Sequence, residues 1–495
     1  MAQADAQTYA GLPTVFFSHL TPTPVREPRV AIVNHALART LGLDPDVLDS
    51  PQGARILSGN ELPDGARPLA QAYAGHQYAR FVMLGDGRAL LLGEHLTPDG
   101  RRVDIQLKGS GPTPYSRGGD GRAALGPMLR EYVISEAMHA LGVATTRSLA
   151  VVTTGETVYR QTPQRGAILT RVAASHLRVG TFEYAASLAD PLAVKALADY
   201  AIARHYPEAM SARNPYLAFL NAVSARQALL IAQWQAIGFI HGVMNTDNMA
   251  ISGETIDYGP CAFLDEYDPA AVFSAIDRYG RYAFGNQPAI AQWNLARLAE
   301  TLLPLLDEDA HEDPQAGLSV AQDALRPFLS HVRAAWLGIT RAKLGLFNEE
   351  DDDDALAQNL LTWMRDQRAD FTNTWRALIS EGQLQSDDLF QDAGFLAWRT
   401  RWEERRRRQT EPWALSAARM RAASPAIIPR NHAVEAALTA WVERQNEAPF
   451  KRLLAALAAP YDDPTPDAQA QNSEDASLRR PPTPQERVHQ TFCGT

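Results

Sequence analysis

His241-Gly242-Val243-Met244-Asn245-Thr246-Asp247-Asn248, followed by Ile256-Asp257-Tyr258-Gly259-Pro260, is the stretch on which the reading of this chain turns. Asn248 and Asp257 stand nine residues apart, and each offers a hard oxygen to a divalent cation. Mg²⁺ bound with phosphates takes only one or two ligands from the protein, so a pair of this kind is enough. Taken singly, each residue also suits an ordinary loop, with Asp and Asn in turns and His241 buried. The ordered set argues for chemistry.

Phosphotransferases of the protein-kinase type place a metal-binding Asn on a catalytic loop shortly before a metal-binding Asp of the D-F-G kind. Small-molecule kinases of that fold commonly read His-Gly-Asp, with the Asn some five residues on. Here Val243 holds the place of that Asp. Asp247, directly before Asn248, is then the nearest carboxylate able to take a proton from an incoming hydroxyl.

Upstream, the pattern from Leu84 to Arg160 is strand-rich. A turn at Leu84–Arg88 leads to an apolar run, and Val103-Asp104-Ile105-Gln106-Leu107-Lys108 alternates apolar with polar, predicting a strand that ends in a lysine. Leu129, Val133, Ala137 and Leu141 recur at spacing four and predict a helix stopped by Gly142. Lys108 and the helical Glu131 have the order of the lysine–glutamate pair that holds nucleotide phosphates in kinases, with Glu136 as the alternative partner. Gly85, Gly87 and Arg88 suit a short loop whose backbone approaches phosphate, or a plain hairpin turn. Two short strands, Ser148–Thr153 and Val158–Gln161, are expected next, then Ala167–Val172. Arg171 and Arg178 are candidates for clamping phosphate oxygens through forked hydrogen bonds. Lys108-Gly109-Ser110-Gly111 runs in the wrong order for a Walker A loop, which disfavours a P-loop ATPase.

These elements predict an α+β, kinase-like bilobal fold. Residues 1–80 form an N-terminal extension, 81–190 a β-rich first lobe, 191–460 an enlarged helical second lobe, and 461–495 a flexible arm ending in Cys493. Long helical segments are expected at Val223–Ile240, Ile290–Leu306, Leu318–Leu344 and Ala355–Ile379. The acidic run Glu349–Asp354 and the basic run Arg405–Arg408 read as solvated faces. With 45% hydrophobic residues the 495-residue chain can bury a large core. A net charge of −10 argues against wrapping nucleic acid. No apolar stretch reaches the roughly 18 residues of a membrane span, and the start lacks the marks of a secretion signal, so a cytoplasmic protein is expected. Two cysteines exclude a disulfide framework and a four-thiolate zinc site. If Cys261 is exposed, an arm of this length lets Cys493 reach it, making a redox-sensitive tether.

The segments Lys108-Gly109-Ser110-Gly111-Pro112-Thr113-Pro114-Tyr115-Ser116-Arg117, Asp120-Gly121-Arg122-Ala123, His241–Asn248 and Asp257-Tyr258-Gly259-Pro260 together resemble the selenoprotein O family, from about Phe16 to the terminal cysteine. The resemblance implies a pseudokinase that binds ATP in a flipped orientation with its γ-phosphate buried. AMP then passes to Ser, Thr or Tyr hydroxyls of protein substrates, and pyrophosphate leaves. It further implies Asp247 as base, Asn248 and Asp257 as ligands of Mg²⁺ (or Mn²⁺), and Lys108 paired with Glu131. Gly85, Gly87, Arg88, Asp120, Gly121, Arg171 and Arg178 would be further nucleotide contacts. In some bacterial relatives the terminal cysteine pairs with one at a position that corresponds to Phe273 here.

Overall fold

A computed structural model describes residues 7–307, 314–380, 384, 387–463 and 474–492. Its strands are β1 (Phe17–His19), β2 (Arg29–Val33), β3 (Leu69–Gln71), β4 (Ala74–Gln77), β5 (Arg80–Met83), β6 (Ala89–Leu96), β7 (Arg102–Lys108), β8 (Ala123–Ala124), β9 (Arg147–Tyr159), β10 (Pro163–Ala173), β11 (Phe239–Ile240) and β12 (Ala262–Phe263). One eight-stranded sheet has the order β1-β3-β6-β7-β10-β9-β2, with β8 beside β10. The pair β4–β5 and the pair β11–β12 form separate small ribbons.

Every strand of the main sheet pairs antiparallel to its neighbour. On β7, Val103, Ile105 and Leu107 point to apolar clusters that include Leu37, Leu48 and Leu57 from the helices α1 (His35–Thr40), α2 (Pro45–Leu48) and α3 (Pro51–Ser58) and Val25 from the loop before β2. Helix α4 (Leu125–Ala140) packs against β9 and β10. β1, β2 and β3 all precede residue 81, so the boundary expected there cuts through the sheet. Strands from residues 7–80 complete that sheet. The expected pair of strands after α4 is one long strand, β9, and Leu84–Arg88 links two sheets where a hairpin turn was anticipated.

Helices follow: α5 (Val179–Ser187), α6 (Pro191–His205), α7 (Pro215–Ile237), α8 (Gln287–Leu306), α9 (Pro314–Leu325), α10 (Phe328–Lys343), α11 (Asp353–Gln367) and α12 (Phe371–Ala377). The anticipated Leu318–Leu344 helix is two, because Pro327 cannot donate to a continuing helix and becomes the N-cap of α10. Ala355–Ile379 is also split, by left-handed Arg368 (φ 54°) and by Asp370, whose side chain caps α12. The acidic and basic runs are not simply solvated. Arg405 is buried, its Nε donating to Asp353 at 2.6 Å, and Arg408 pairs with Glu350.

Residues 474–492 of the arm lie on the helical half. Arg430 Nε donates to Arg479 O at 3.0 Å, Arg487 pairs with Glu266, and Thr491 N donates to Phe273 O at 2.7 Å. These contacts hold there a segment that composition alone reads as a free arm. Cys493 lies outside the described residues. Cys261 is fully buried, and burial pushes its thiol up to about 11, so the exposed partner that a tether requires is not presented. No helix among the described residues is long and apolar enough to cross a membrane.

Candidate active site

The alternation on β7 that turns Val103, Ile105 and Leu107 to one face turns Asp104, Gln106 and Lys108 to the other, and all three polar residues are buried. Antiparallel register sets Leu169 opposite Lys108 and Arg171 opposite Gln106, so Arg171 shares that polar face diagonally from the lysine. α4 brings Glu131 between them. Its carboxylate receives Lys108 Nζ at 2.6 Å and Arg171 Nε at 2.7 Å. Glu136, the alternative partner, is taken up by Arg147 at 2.9 Å, by Asn34 and by Ser148 N. Burial would raise the Glu131 carboxyl, but the cations Arg171 and Lys108 hold it below the usual range.

The loop that carries the two metal-ligand candidates is closed at its base by β11 pairing with β12. Gly238, left-handed at φ 73°, ends α7 and turns the chain into β11. His241 is buried, stacked on Trp234, and its Nε2 lies 2.9 Å from Ile256 O, tying the start of the loop to the residue before Asp257. Asp257 has φ 67°, a left-handed backbone that a short polar side chain tolerates better than most. Lys108 Nζ donates to its Oδ1 at 2.7 Å, with Arg171 3.7 Å away. Burial opposes its charge, yet Lys108 and Arg171 outweigh it and hold the carboxyl well below the usual carboxylate range. Asn248 Nδ2 donates to Val243 O at 3.0 Å, which leaves the amide oxygen as the ligating atom of that side chain.

Asp247 is differently placed. It is buried, its Oδ1 has no hydrogen-bond partner among the described residues, and Gln77 Nε2 stands 3.5 Å from Oδ2. Burial raises this carboxyl to about 6, with Arg178 opposing the rise. Arg178, at the N-cap of α5, is buried over the Tyr73 ring, 4.3 Å from its centroid, and faces Asp86 at 3.6 Å. Its Nε has no acceptor among the described residues. A buried guanidinium with unused donors next to a buried carboxylate with an unused acceptor is suited to a charged ligand.

Gly85 and Gly87 sit where a Cβ would collide with Tyr115, and Arg88 O accepts from Gly109 N at 2.7 Å. Between the glycines, Asp86 is buried and receives Gln71 N at 3.2 Å and Gln106 Nε2 at 3.3 Å. A cleft of about 760 Å³ is lined by Arg88, Lys108, Glu131 and Asp257, within the range of ligand pockets. Asp120 does not join this cluster: it is exposed and pairs with Arg160, which lines the same cleft. Gly121 is pressed against the Gly111 backbone, where no side chain fits.

Sequence reasoning passed over the β4–β5 hairpin, which lies on the loop His241–Asn248. His76 N donates to Thr246 Oγ1 at 2.6 Å and Tyr78 N to Asn245 Oδ1 at 3.1 Å. The His76 ring and Thr246 Oγ1 both bond Glu183 of α5. Asp86, enclosed by Gly85 and Gly87, carried a readable signal. The hairpin carried none.

The family model described as "Protein adenylyltransferase SelO" matches residues 4–458. A relative from Alkaliphilus metalliredigens named "Protein nucleotidyltransferase YdiU" is 57% identical over 99% of this chain and 97% of its own length. Relatives of the same name from Nitrosococcus oceani and Bacillus cytotoxicus are each 56% identical over 99% of this chain and over 96% and 97% of their own lengths. With a family match across nearly the whole chain and relatives of this similarity end to end, the chain belongs to the SelO family of protein adenylyltransferases.

Proposed function

We propose that this protein transfers AMP from ATP to hydroxyl side chains of proteins and releases pyrophosphate, on a kinase-like bilobal scaffold. The observation that carries the reading is one buried charge network, in which Lys108 and Arg171 hold Glu131 and Asp257 while Arg178 keeps unused donors beside Asp247. A triphosphate brings several negative charges, and burying it calls for several fixed cations, not one lysine. Asn248 and Asp257 fit Mg²⁺, with Mn²⁺ as the alternative. One oxygen is already ionised and one is an amide, which leaves the remaining coordination positions to phosphates and water. Such an ion, when bound, neutralises phosphate charge and fixes the leaving pyrophosphate.

The chain's own residues then divide the work. Lys108 and Arg171, held in place by Glu131, bind phosphate oxygens; Arg178 supplies further donors. Asp247 accepts the proton as the acceptor hydroxyl attacks the α-phosphorus and the bond to pyrophosphate breaks. A carboxyl lifted to about 6 is still mostly ionised near neutrality and more basic than an exposed one, as a general base requires.

Labelled nucleotide tests the reading. With Mg²⁺, label should enter protein from ATP carrying ³²P at the α position and not from ATP carrying it at the γ position. Transfer from the γ position would make the protein a kinase, and ATP binding without transfer would make it a scaffold.

A further inference from the structure

Apart from the phosphate site, the helical half holds a pocket of about 310 Å³, partly open to solvent, lined by the end of α7, the start of α8, α10, α11, α12 and the segment after Asp257. Tyr267, Trp336, Phe371 and Trp375 supply aromatic walls, and none of the residues lining it is acidic. Arg333, the other cation of the lining, is already paired with Asp354. Lys343, at the last turn of α10, is 2% exposed in this apolar setting. An ammonium has three donors. Among the described residues, Lys343 Nζ meets one acceptor, Ala236 O. Its other near neighbours are rings, with Phe371 at 5.5 Å and Trp375 at 5.2 Å from their centroids. Trp375 is equally buried, and its indole N–H has no acceptor among the described residues.

Two buried donors with unused capacity thus flank a pocket whose aromatic walls are interrupted by the polar side chains Gln235, Thr340 and Gln358. A buried polar group without partners costs free energy, and such sites are commonly completed by a ligand or water. The chemistry of the missing group follows from its surroundings: an acceptor, carrying one negative charge to match one ammonium, on a body that prefers aromatic walls to water. A phosphate dianion would leave one charge unmatched beside the single unpaired ammonium, at a desolvation cost. With no carboxylate in the lining, burial lowers the Lys343 amine to about 7, and an anion beside it would restore the charged form.

We infer that this cavity binds a small monocarboxylate with an aromatic or short aliphatic body, its carboxylate on Lys343 Nζ and Trp375 Nε1 and its body against Trp336, Phe371 and Tyr267. The site is separate from the Lys108–Asp257 network. It lies beneath the start of the catalytic segment, where Phe371 packs so closely on Gly238 that no Cβ fits there.

Calorimetric titration of the full-length protein at pH 7 with octanoate and with phenylacetate tests this, using octanol and phenylacetamide as uncharged counterparts. At least one carboxylate should bind, at least tenfold more tightly than its uncharged counterpart. Preference between the two identifies the body as aliphatic or aromatic. Lys343→Met, which keeps the side chain's bulk, should remove that tenfold advantage while leaving ATP binding unchanged. Trp375→Phe, which keeps a ring but removes the N–H, should weaken carboxylate binding at least threefold, and it serves as the decisive variant if Lys343→Met does not fold. Failure of both carboxylates to bind, equal binding of the uncharged counterparts, or undiminished binding in a folded variant would each overturn the assignment.

Discussion

Asp247 and Asp257 share one loop and have opposite electrostatics. Burial acts on both, but Asp257 has Lys108 and Arg171 against it, whereas Asp247 has the more distant Arg178. Two carboxyls pushed apart in this way suit the two roles proposed for them, the low one as a fixed anion and the high one as a proton acceptor. Asp257→Ala should therefore weaken Mg·ATP binding and abolish transfer together. Asp247→Asn should keep ATP affinity within about twofold while transfer falls by about 10²–10⁴, the usual worth of a general base; near-normal transfer would remove Asp247 from the mechanism. A second residue, Glu254, tests burial without catalysis. It accepts from Ala174 N at 3.0 Å and Ser252 Oγ at 2.9 Å, yet burial raises it from 4.5 to about 7. Its folded value lies above its unfolded one, so the folded state holds the extra proton between the two, and stability falls as pH rises through that window. Glu254→Gln should accordingly gain stability over the parent at pH 8 compared with pH 5, on the order of 2 kcal/mol. Urea midpoints at the two pH values would show this, and an equal difference at both would refute it.

At the scale of elements, the β4–β5 hairpin is the least expected participant. Its turn residues, Tyr78 and Ala79, both have positive φ, 51° and 65°, which a tight two-residue hairpin turn needs but which glycine or asparagine usually supplies. The bonds from His76 and Tyr78 to Thr246 and Asn245 help hold this conformation against its strain. A Cβ at Gly75 would collide with the Asp247 carboxylate. Gly75→Ala should lower transfer at least tenfold with little change in ATP affinity, and full activity would mean that Asp247 tolerates displacement. In the helical half, Arg405 links the helix Ala393–Arg407 to Asp353 at the start of α11. Arg405→Ala leaves a buried carboxylate with Arg341 as its remaining arginine partner, and should cost about 3 kcal/mol in chemical denaturation. A loss under about 1 kcal/mol would return the two charge runs to the status of solvated faces.

For the whole molecule, the last described residues act as a strap over the segment after Asp257. Thr491 bonds both Phe273 and Pro260, and Arg487 reaches Glu266. A chain ending at Asp463 should show faster amide exchange across residues 260–285 than the full chain, with the main sheet unchanged. Exchange that stays the same would mean the strap rests on this segment without holding it.

What was legible in the sequence was local. The order of His241, Asp247, Asn248 and Asp257 could be read because loop spacing is a property of the chain itself. The strand ending at Lys108 could be read because side chains alternate with period two. Helix periodicity put Glu131 and Glu136 on α4 but could not choose between them, since the choice depends on how the helix is rotated against the sheet. Tertiary packing decided that Glu131 meets Lys108 while Glu136 meets Arg147. It also laid His76 on Thr246 and Gln77 beside Asp247, each 170 residues away in the chain, and joined the acidic run to the basic one. Such pairings arise when buried charges must find partners to offset desolvation, and no local pattern names a partner that distant.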